Sequence, residues 1–416
     1  LVVDEMHDMN QAMFIVLSAL LRTNRSFFCG AGDVDQVIHR ATGAEARFMR
    51  TELATLAGHK VVHYPLTHSF RFSPTLAAVA GRVANKPYAS KAPHATQIDI
   101  SRYDSTAECA QSVVQAAVLW KARPKAKMAE FAVLLRHPFQ SVEIENALME
   151  AGIAYQTLGL DSYVMRPEVL FLRGLLAVAT DDLSSVTDTQ TRKEVMRALM
   201  FFSNSRIDVE GREQESQSEL LNDAIRSVTD NPMFLTSFFE NQILRNAEPS
   251  IKKRLAAAVR VAREHVGPGL LDALLVALQF KAMVNNVLAS QQRRTEAAAN
   301  LEWLARAAAR FDNPRLFFQH LNDAERKQRE TRNAKTASLL IASITSVKGL
   351  EFDHVLLPYL ARGEFPAPGS DMGEEWNTLY VGITRARHVL TLLVDRARPS
   401  EFAAKLEKSP KATSPL

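Results

Sequence analysis

The sequence predicts an α/β protein with two parallel sheets, one partial and one complete, the second interrupted by an all-helical insertion. Three observations predict it. Short apolar runs alternate with helically spaced stretches over residues 1–182 and again over 331–400, the pattern of strands buried on both faces and joined by helices. Between 183 and 330 the strand signals stop, and Ala, Leu, Glu, Arg and Gln recur with helical periodicity. The polar loops after the apolar runs fall at the carboxyl ends of strands, where parallel sheets carry their sites.

Residues 1–3 read as a strand, 9–22 as a helix, 26–30 as the next strand and 60–66 as a third, so 1–66 form the partial domain. The complete domain starts at 67. Its strands are 97–101, 131–136 and 155–159, and its helices 106–122, 139–151 and 166–179, the last with Pro167 in a first turn that needs no N–H. Segments 251–264, 270–286 and 295–311 are helices of the insertion, with turns at Asn231-Pro232 and Gly267-Pro268-Gly269. Strands resume at 337–344, 354–360 and 389–394. A tail, 401–416, follows, and its polar, proline-containing end at 408–416 is expected to be disordered.

Composition bounds the function classes. The chain has 416 residues, 47% of them hydrophobic and 23% charged, which describes an ordinary globular protein of two or three domains. A net charge of +4 is compatible with nucleic acid but decides nothing alone. Cys29 and Cys109 are the only cysteines, too few for a disulfide framework or a zinc site, so a reducing, cytoplasmic setting is expected. No run of 18 apolar residues and no basic-then-apolar leader argues for a membrane. Leu1 stands inside a strand that should be buried. That marks the chain as a fragment of a longer protein, with unpaired and aggregation-prone edges at residues 1–3.

The chemistry lies at the strand ends. Leu1-Val2-Val3 runs into Asp4-Glu5. One carboxylate at such an end can hold a Mg²⁺ that bridges nucleotide phosphates, here Asp4, and its neighbour Glu5 can orient the attacking water or take its proton. An acidic pair also ends strands in proteins that bind no nucleotide, so the pair alone leaves both readings open. About 30 residues on, Gly30-Ala31-Gly32-Asp33-Val34-Asp35-Gln36 ends another strand, and Gln36 could reach a γ-phosphate or the water.

The order of these segments with Leu66-Thr67-His68-Ser69-Phe70-Arg71-Phe72, Ala132-Val133-Leu134-Leu135-Arg136, Ser346-Val347-Lys348-Gly349-Leu350-Glu351-Phe352 and Leu379-Tyr380-Val381-Gly382-Ile383-Thr384-Arg385-Ala386 resembles superfamily 1A DNA helicases of the UvrD/PcrA/Rep type. Ser69-Phe70-Arg71-Phe72 and Glu374-Glu375-Trp376-Asn377 resemble the F-box DNA helicase branch and its bacterial relatives. The resemblance spans residues 1 to about 395, the helical insertion by position alone. It implies RecA-like sheets of the P-loop nucleotidase type: 1–66 the remnant of the first domain, 67–182 and 331–400 the second, and 183–330 its inserted helical domain. It also implies ATP and Mg²⁺ as cofactors and single-stranded DNA or DNA junctions as partner. By the resemblance Asp4 is the metal and cofactor carboxylate, Glu5 the catalytic one and Gln36 the γ-phosphate sensor. Arg71 and Arg385 are the arginines that neutralise the γ-phosphate, Phe70 stacks on adenine, Glu351 binds ribose, and Lys348 and Gly349 complete that motif. Thr345 and His39 fall at DNA-facing positions.

Departures from the family pattern are as informative. His7 stands where the family usually has glutamine, His39 and Ala41 where it has aromatics, Thr42 where it has arginine, and Thr345 where it has histidine. Base stacking on an aromatic platform is worth roughly 1–3 kcal/mol per base, so grip on DNA through this loop should weaken, with the His39 imidazole a partial substitute. The phosphate loop G-x-x-x-x-G-K-[ST] does not occur in the 416 residues. The resemblance therefore implies the carboxyl-terminal portion of a 3′ to 5′ DNA helicase that cannot hydrolyse ATP alone. The alternative is a non-catalytic DNA- or partner-binding module descended from one.

Overall fold

The run Phe-Ala-Val-Leu-Leu at 131–135 has no polar side chain for either face, so it is stable only as a strand covered on both sides, and all five residues are buried. The computed structural model describes residues 1–24, 27–56, 61–208, 214–333 and 337–407. From the amino end its elements are β1 (Val2–Val3), α1 (Gln11–Asn24), β2 (Cys29–Gly30), α2 (Leu53–Leu56), β3 (His68–Ser69), α3 (Pro74–Ala84), β4 (Ala89–Ser90), β5 (Gln97–Tyr103), α4 (Thr106–Lys121), β6 (Phe131–Leu135), α5 (Ser141–Glu150), β7 (Tyr155–Leu158) and α6 (Pro167–Thr180). There follow α7 (Thr189–Ser203), α8 (Gln217–Asp230), α9 (Leu235–Phe238), α10 (Pro249–Glu264), α11 (Leu270–Leu278), α12 (Phe280–Val287), α13 (Gln291–Ala308), α14 (Pro314–Asn333), β8 (Leu339–Ser343), β9 (Phe352–Leu360), α15 (Met372–Ile383), β10 (Ala386–Asp395) and α16 (Ala403–Glu407).

The chain divides into two compact units. The first comprises Leu1–Arg136, Gln156–Gly159 and Ala337–Leu416 and is built on a six-stranded sheet of order β5-β10-β9-β6-β8-β7. The pairings of β5 with β10, β10 with β9, β9 with β6 and β6 with β8 are all parallel. Register is fixed by apolar partners such as Leu390 opposite Val355 and Ala132 opposite Val355. Helices α3, α15 and α16 share one apolar cluster with the sheet, including Leu76, Val83, Leu357, Leu379, Ile383, Leu390 and Phe402. Side chains stop the water-exposed helix ends from fraying. Ser73 caps α3 ahead of Pro74, Ser105 caps α4 through the Glu108 N–H, and Asp371 caps α15 through the Glu374 N–H at 2.9 Å.

Two short parallel ladders accompany this sheet. β1 pairs with β2, Val2 opposite Cys29, over a small core of Met6, Met9, Phe14, Leu17, Phe48 and Leu53. β3 pairs with β4, His68 opposite Ala89. The strand expected at 60–66 is not formed by residues 61–66, and Lys60 lies outside the described residues. Pro65 has no N–H to give a ladder, and Tyr64 and Leu66 stay 83% and 86% exposed with no sheet to bury them. The strand expected at 26–30 is confined to Cys29–Gly30, with Ser26 outside the described residues. The expected disorder of 408–416 also falls outside them.

The second unit, His137–Tyr155 with Leu160–Thr336, carries helices α5 to α14. Within it α5 and α6 group with the later helices. Eleven consecutive residues of α6, from Glu168 to Val178, are buried. Only a helix surrounded by other helices has a use for apolar side chains on every face. The single helix expected over 270–286 is two, α11 and α12, bent by 50° at Gln279, whose left-handed backbone (φ 47°) interrupts the hydrogen-bond ladder. No single helix among the described residues is long and apolar enough to cross a membrane.

Two buried ionisable groups inside this unit show how polar side chains are accommodated. The fully buried Glu145 carboxylate accepts from Ser141 Oγ at 2.6 Å, Tyr155 OH at 3.0 Å and the Tyr163 N–H at 3.2 Å. Arg166 donates to the carbonyls of Pro138 and Asp161 at 3.0 and 3.1 Å. Such pairing is what lets ionised groups remain in a core.

In the first unit His354 lies between Trp120 and Phe131, stacked on the latter at 4.2 Å, and its Nε2 meets Thr391 Oγ1 at 2.9 Å. Burial, helped by the charge of Arg123, pushes its pKa down to about 3. The folded state thus keeps it neutral while the unfolded chain protonates near pH 6.5, so stability is complete above 6.5 and lost as pH falls toward 3. His354→Gln should make unfolding free energy shallower in pH between 6 and 4 by about 1.4 kcal/mol per pH unit, read from urea melts. An unchanged slope would refute this assignment.

Candidate nucleotide site

β1 ends at Val3, and the next two residues turn sharply. Glu5 is in the left-handed region (φ 52°, ψ 39°), which costs a non-glycine residue roughly 1–2 kcal/mol, while its N–H donates to Asp4 Oδ1 at 2.8 Å. Glu5 Oε2 lies 2.9 Å from Nε2 of the buried His7, a close polar contact off the hydrogen-bond axis. His7 Nδ1 accepts the Asp33 N–H at 3.1 Å, so the ring proton is on Nε2 and faces the Glu5 carboxylate. Burial, together with the charge of Lys348, holds the His7 pKa below its ordinary value. His7 thus joins the two strand-end loops.

The second loop follows β2. Asp33 is its hub: Oδ1 accepts from the Asp35 N–H at 3.2 Å and from Lys86 Nζ at 2.8 Å, and Oδ2 from Gln36 Nε2 at 3.2 Å and Tyr380 OH at 3.1 Å. Asn377 Nδ2 donates to the carbonyls of Val34 and Val37, both at 3.2 Å. Both anchors lie on α15.

The arginines approach from the other side. Arg71, just past β3, pairs with Glu351 Oε2 through Nε at 2.8 Å. Arg387 holds the other oxygen of Glu351 at 3.2 Å and also Asp353 and Glu130. Arg385, 2% exposed, donates to the Val381 carbonyl and Thr384 Oγ1 at 3.0 Å each and to the Leu350 carbonyl at 3.4 Å, all neutral acceptors. Burial, then repulsion from Arg71, lowers its pKa to about 10 against the attraction of Tyr380, Glu5 and Glu351. It stays charged at neutral pH, a buried cation suited to an anion. Lys348 bonds Asp8 across 340 positions of sequence. Gly349 (φ 80°) makes the turn between Lys348 and Glu351 that a side chain would strain.

The sequence-predicted residues therefore separate. Arg71, Glu5 and Glu351 act on Arg385 electrostatically, and Gln36 approaches Glu5 through Asp33 and His7. Phe70 is 73% exposed, its ring open to stacking. The His39 carbonyl accepts the N–H groups of Thr42 and Ala44 and the Thr42 hydroxyl, and Thr345 Oγ1 is 3.0 Å from Ser343 Oγ. Asp4 accepts the N–H of its neighbour Glu5 through Oδ1. No cluster of three metal-ligating side chains occurs among the described residues.

Sequence reasoning missed Lys86 and Tyr380 as anchors of the 33–37 loop. It also missed the pair behind them. The Glu375 carboxylate, fully buried on α15, is gripped by Arg136 at the end of β6, with Nε 3.1 Å from both oxygens, and it accepts the Ala367 N–H at 3.3 Å. The Arg ending one apolar strand and the paired glutamates before Trp376 were the available signal.

Loops at the ends of parallel strands that gather carboxylates opposite arginines define the class, an α/β domain of nucleotide-site type. The chain belongs to the UvrD-like helicase C-terminal domain family, whose model matches residues 64–396. It is similar to DNA helicase II of Rickettsia typhi, 23% identical over 406 residues, covering 93% of this chain and 59% of the relative. It is 28% identical over 411 residues to the ATP-dependent DNA helicase UvrD2 of Mycobacterium tuberculosis, covering 94% of this chain and 46% of that protein. With the ATP-dependent DNA helicase PcrA of Bacillus subtilis it shares 23% over 425 residues, 94% of this chain and 54% of the relative. The chain spans about half the length of these relatives.

Removing one partner of a buried ion pair leaves the other uncompensated. Arg136→Met should destabilise the first unit by about 3–5 kcal/mol, measured by urea unfolding, and Glu375→Gln by less, since the amide is neutral.

Proposed function

We propose that this chain is the carboxyl-terminal part of an ATP-dependent DNA helicase that moves 3′ to 5′ along single-stranded DNA or DNA junctions. The observation that carries the reading is Arg385, a buried guanidinium bonded only to neutral oxygens beside Arg71 and within the field of Glu5. A cation so placed is costly unless an anion visits it. A γ-phosphate gaining charge during hydrolysis is such an anion.

In this reading residues 1–66 belong to the first RecA-like domain, and 67–182 with 331–400 to the second, interrupted by the helical insertion at 183–330. Glu5 orients the attacking water and takes its proton, Gln36 reads the γ-phosphate or that water, Phe70 stacks on adenine and Glu351 receives the ribose hydroxyls, aimed by Arg71 and Arg387. Lys348 and Gly349 shape the turn that presents Glu351. Asp4 would hold Mg²⁺, which when bound offsets phosphate charge. His39 and Thr345 face DNA. The working site is cytoplasmic. Without a G-x-x-x-x-G-K-[ST] loop among its 416 residues, this chain alone has no cradle for the β- and γ-phosphates and does not turn over ATP.

The second reading, a non-catalytic DNA-binding module, draws on the hydroxyl of Thr345 being engaged with Ser343 and on the missing loop aromatics. One experiment separates them. The 416-residue chain should show no ATPase, while the full-length gene product should show DNA-stimulated ATPase that falls about 10²–10⁴-fold in Glu5→Gln and about 10³–10⁵-fold in Arg385→Ala. DNA binding without ATPase in the full-length product would overturn the motor and leave the module.

A further inference from the structure

The loop that carries Gln36 is not held by its own strand alone. β2 is two residues long, yet residues 33–37 are tied to the body of the six-stranded sheet by three side chains from remote sequence. We propose that Lys86 is a positioning residue for this loop, acting through Asp33 to fix the orientation of Gln36.

The geometry of Lys86 is set before it meets the loop. α3 ends at Asn85 in the left-handed conformation (φ 51°), and the Lys86 N–H closes the cap on the Gly81 carbonyl at 3.0 Å. A Cβ on Gly81 would stand 2.9 Å from the Lys86 carbonyl oxygen, so the close turn depends on that glycine. From this fixed origin Nζ reaches Asp33 Oδ1 at 2.8 Å and Asp35 Oδ2 at 2.6 Å. It also lies over the rings of Tyr380 and Tyr88, at 5.0 and 5.5 Å from their centroids. One ammonium thus spans two carboxylates of the loop and two aromatic rings of the sheet body. Burial alone would raise the Asp33 carboxyl; the bond and charge of Lys86, with the bonds from Gln36 and the Asp35 N–H, hold it below its ordinary value.

The consequence falls on Gln36. A charged carboxylate only accepts hydrogen bonds, so Gln36 turns its amide NH₂ toward Asp33 Oδ2, and its Oε1 is the atom directed away. The outward Oε1 accepts a hydrogen bond from water, and the second amide N–H stays available as a donor. Within the ATPase reading, on which this step rests, Gln36 then presents both groups to the γ-phosphate and the attacking water in one fixed orientation. Loosening Asp33 would let the amide rotate and lose that orientation.

Hydrogen exchange of the 416-residue chain tests the clamp without any nucleotide. Lys86→Met should speed exchange of the amides at 31–38 by about 5- to 30-fold while the β10 amides keep their protection, and Lys86→Arg should restore slow exchange. Asp35→Asn, which removes one of the two ion pairs and leaves α3 untouched, should give a smaller rise confined to the same loop. Unchanged exchange in both Lys86→Met and Asp35→Asn overturns the proposal. In the full-length product Lys86→Met should lower kcat about tenfold with KM for ATP within about twofold, again rescued by Lys86→Arg. A loosened loop in a product with no ATPase in any form would sink the motor and spare the clamp. An unmoved kcat beside a loosened loop would overturn the role given to Gln36.

Discussion

A carboxylate with no access to water has to be neutralised where it lies, and Glu375 meets that demand through Arg136. The pair ties α15 to the end of β6, and the position of α15 sets nearly everything at the site. One face of the helix, through Leu379 and Ile383, completes the core over β9 and β10. Asn377 and Tyr380, on its other side, grip the 33–37 loop. The backbone then passes Thr384 and delivers Arg385 beneath Leu350. A shift of this one helix would move the loop and the arginine together.

The charges around it follow a single logic. Glu351 is shared between Arg71 and Arg387, and Arg387 in turn spans Asp353 and Glu130. Arg385 is the exception, buried and surrounded by neutral oxygens. Electrostatic preorganisation of this kind costs stability in the resting protein and gives a strong field where charge must develop. The left-handed Glu5 tells the same story in the backbone. His7 accepts the Asp33 N–H through Nδ1 and lies with Nε2 2.9 Å from Glu5 Oε2, so it stands between the two loops.

Much of this was legible in the residues, for definite reasons. β6, β9 and β10 are apolar runs long enough to demand a two-sided cover, and each forms within two or three residues of the expected bounds. Local motifs marked Asp4, Glu5, Gln36, Arg71, Glu351 and Arg385 because each sits within a few residues of a strand end, a position the structure keeps for all six. The run at 60–66 misled because alternating apolar and aromatic residues imitate a strand, and the proline inside it carries the real information. β3 and β4 left no trace, since two residues have no periodicity. The helices α5 and α6 were joined in reading to neighbouring strands, but β7 returns to the sheet while they pack among later helices, a tertiary choice with no local mark. The partnership of Lys86 with Asp33, 53 positions away, is of the same kind.

The strand order has a bearing on how the molecule comes into being. β5 is finished by residue 103, yet its partner in the sheet is β10, which begins at residue 386, and β6 waits for β9 and β8. At ordinary rates of synthesis the ribosome needs roughly 15–60 s to make the intervening chain. Through that interval β5 and the apolar β6 are emerged and without their partner strands, while the helices encoded between β6 and β8 can already find one another. The sheet is therefore the last part to close, and the nascent chain depends on something else to keep its strands apart until then.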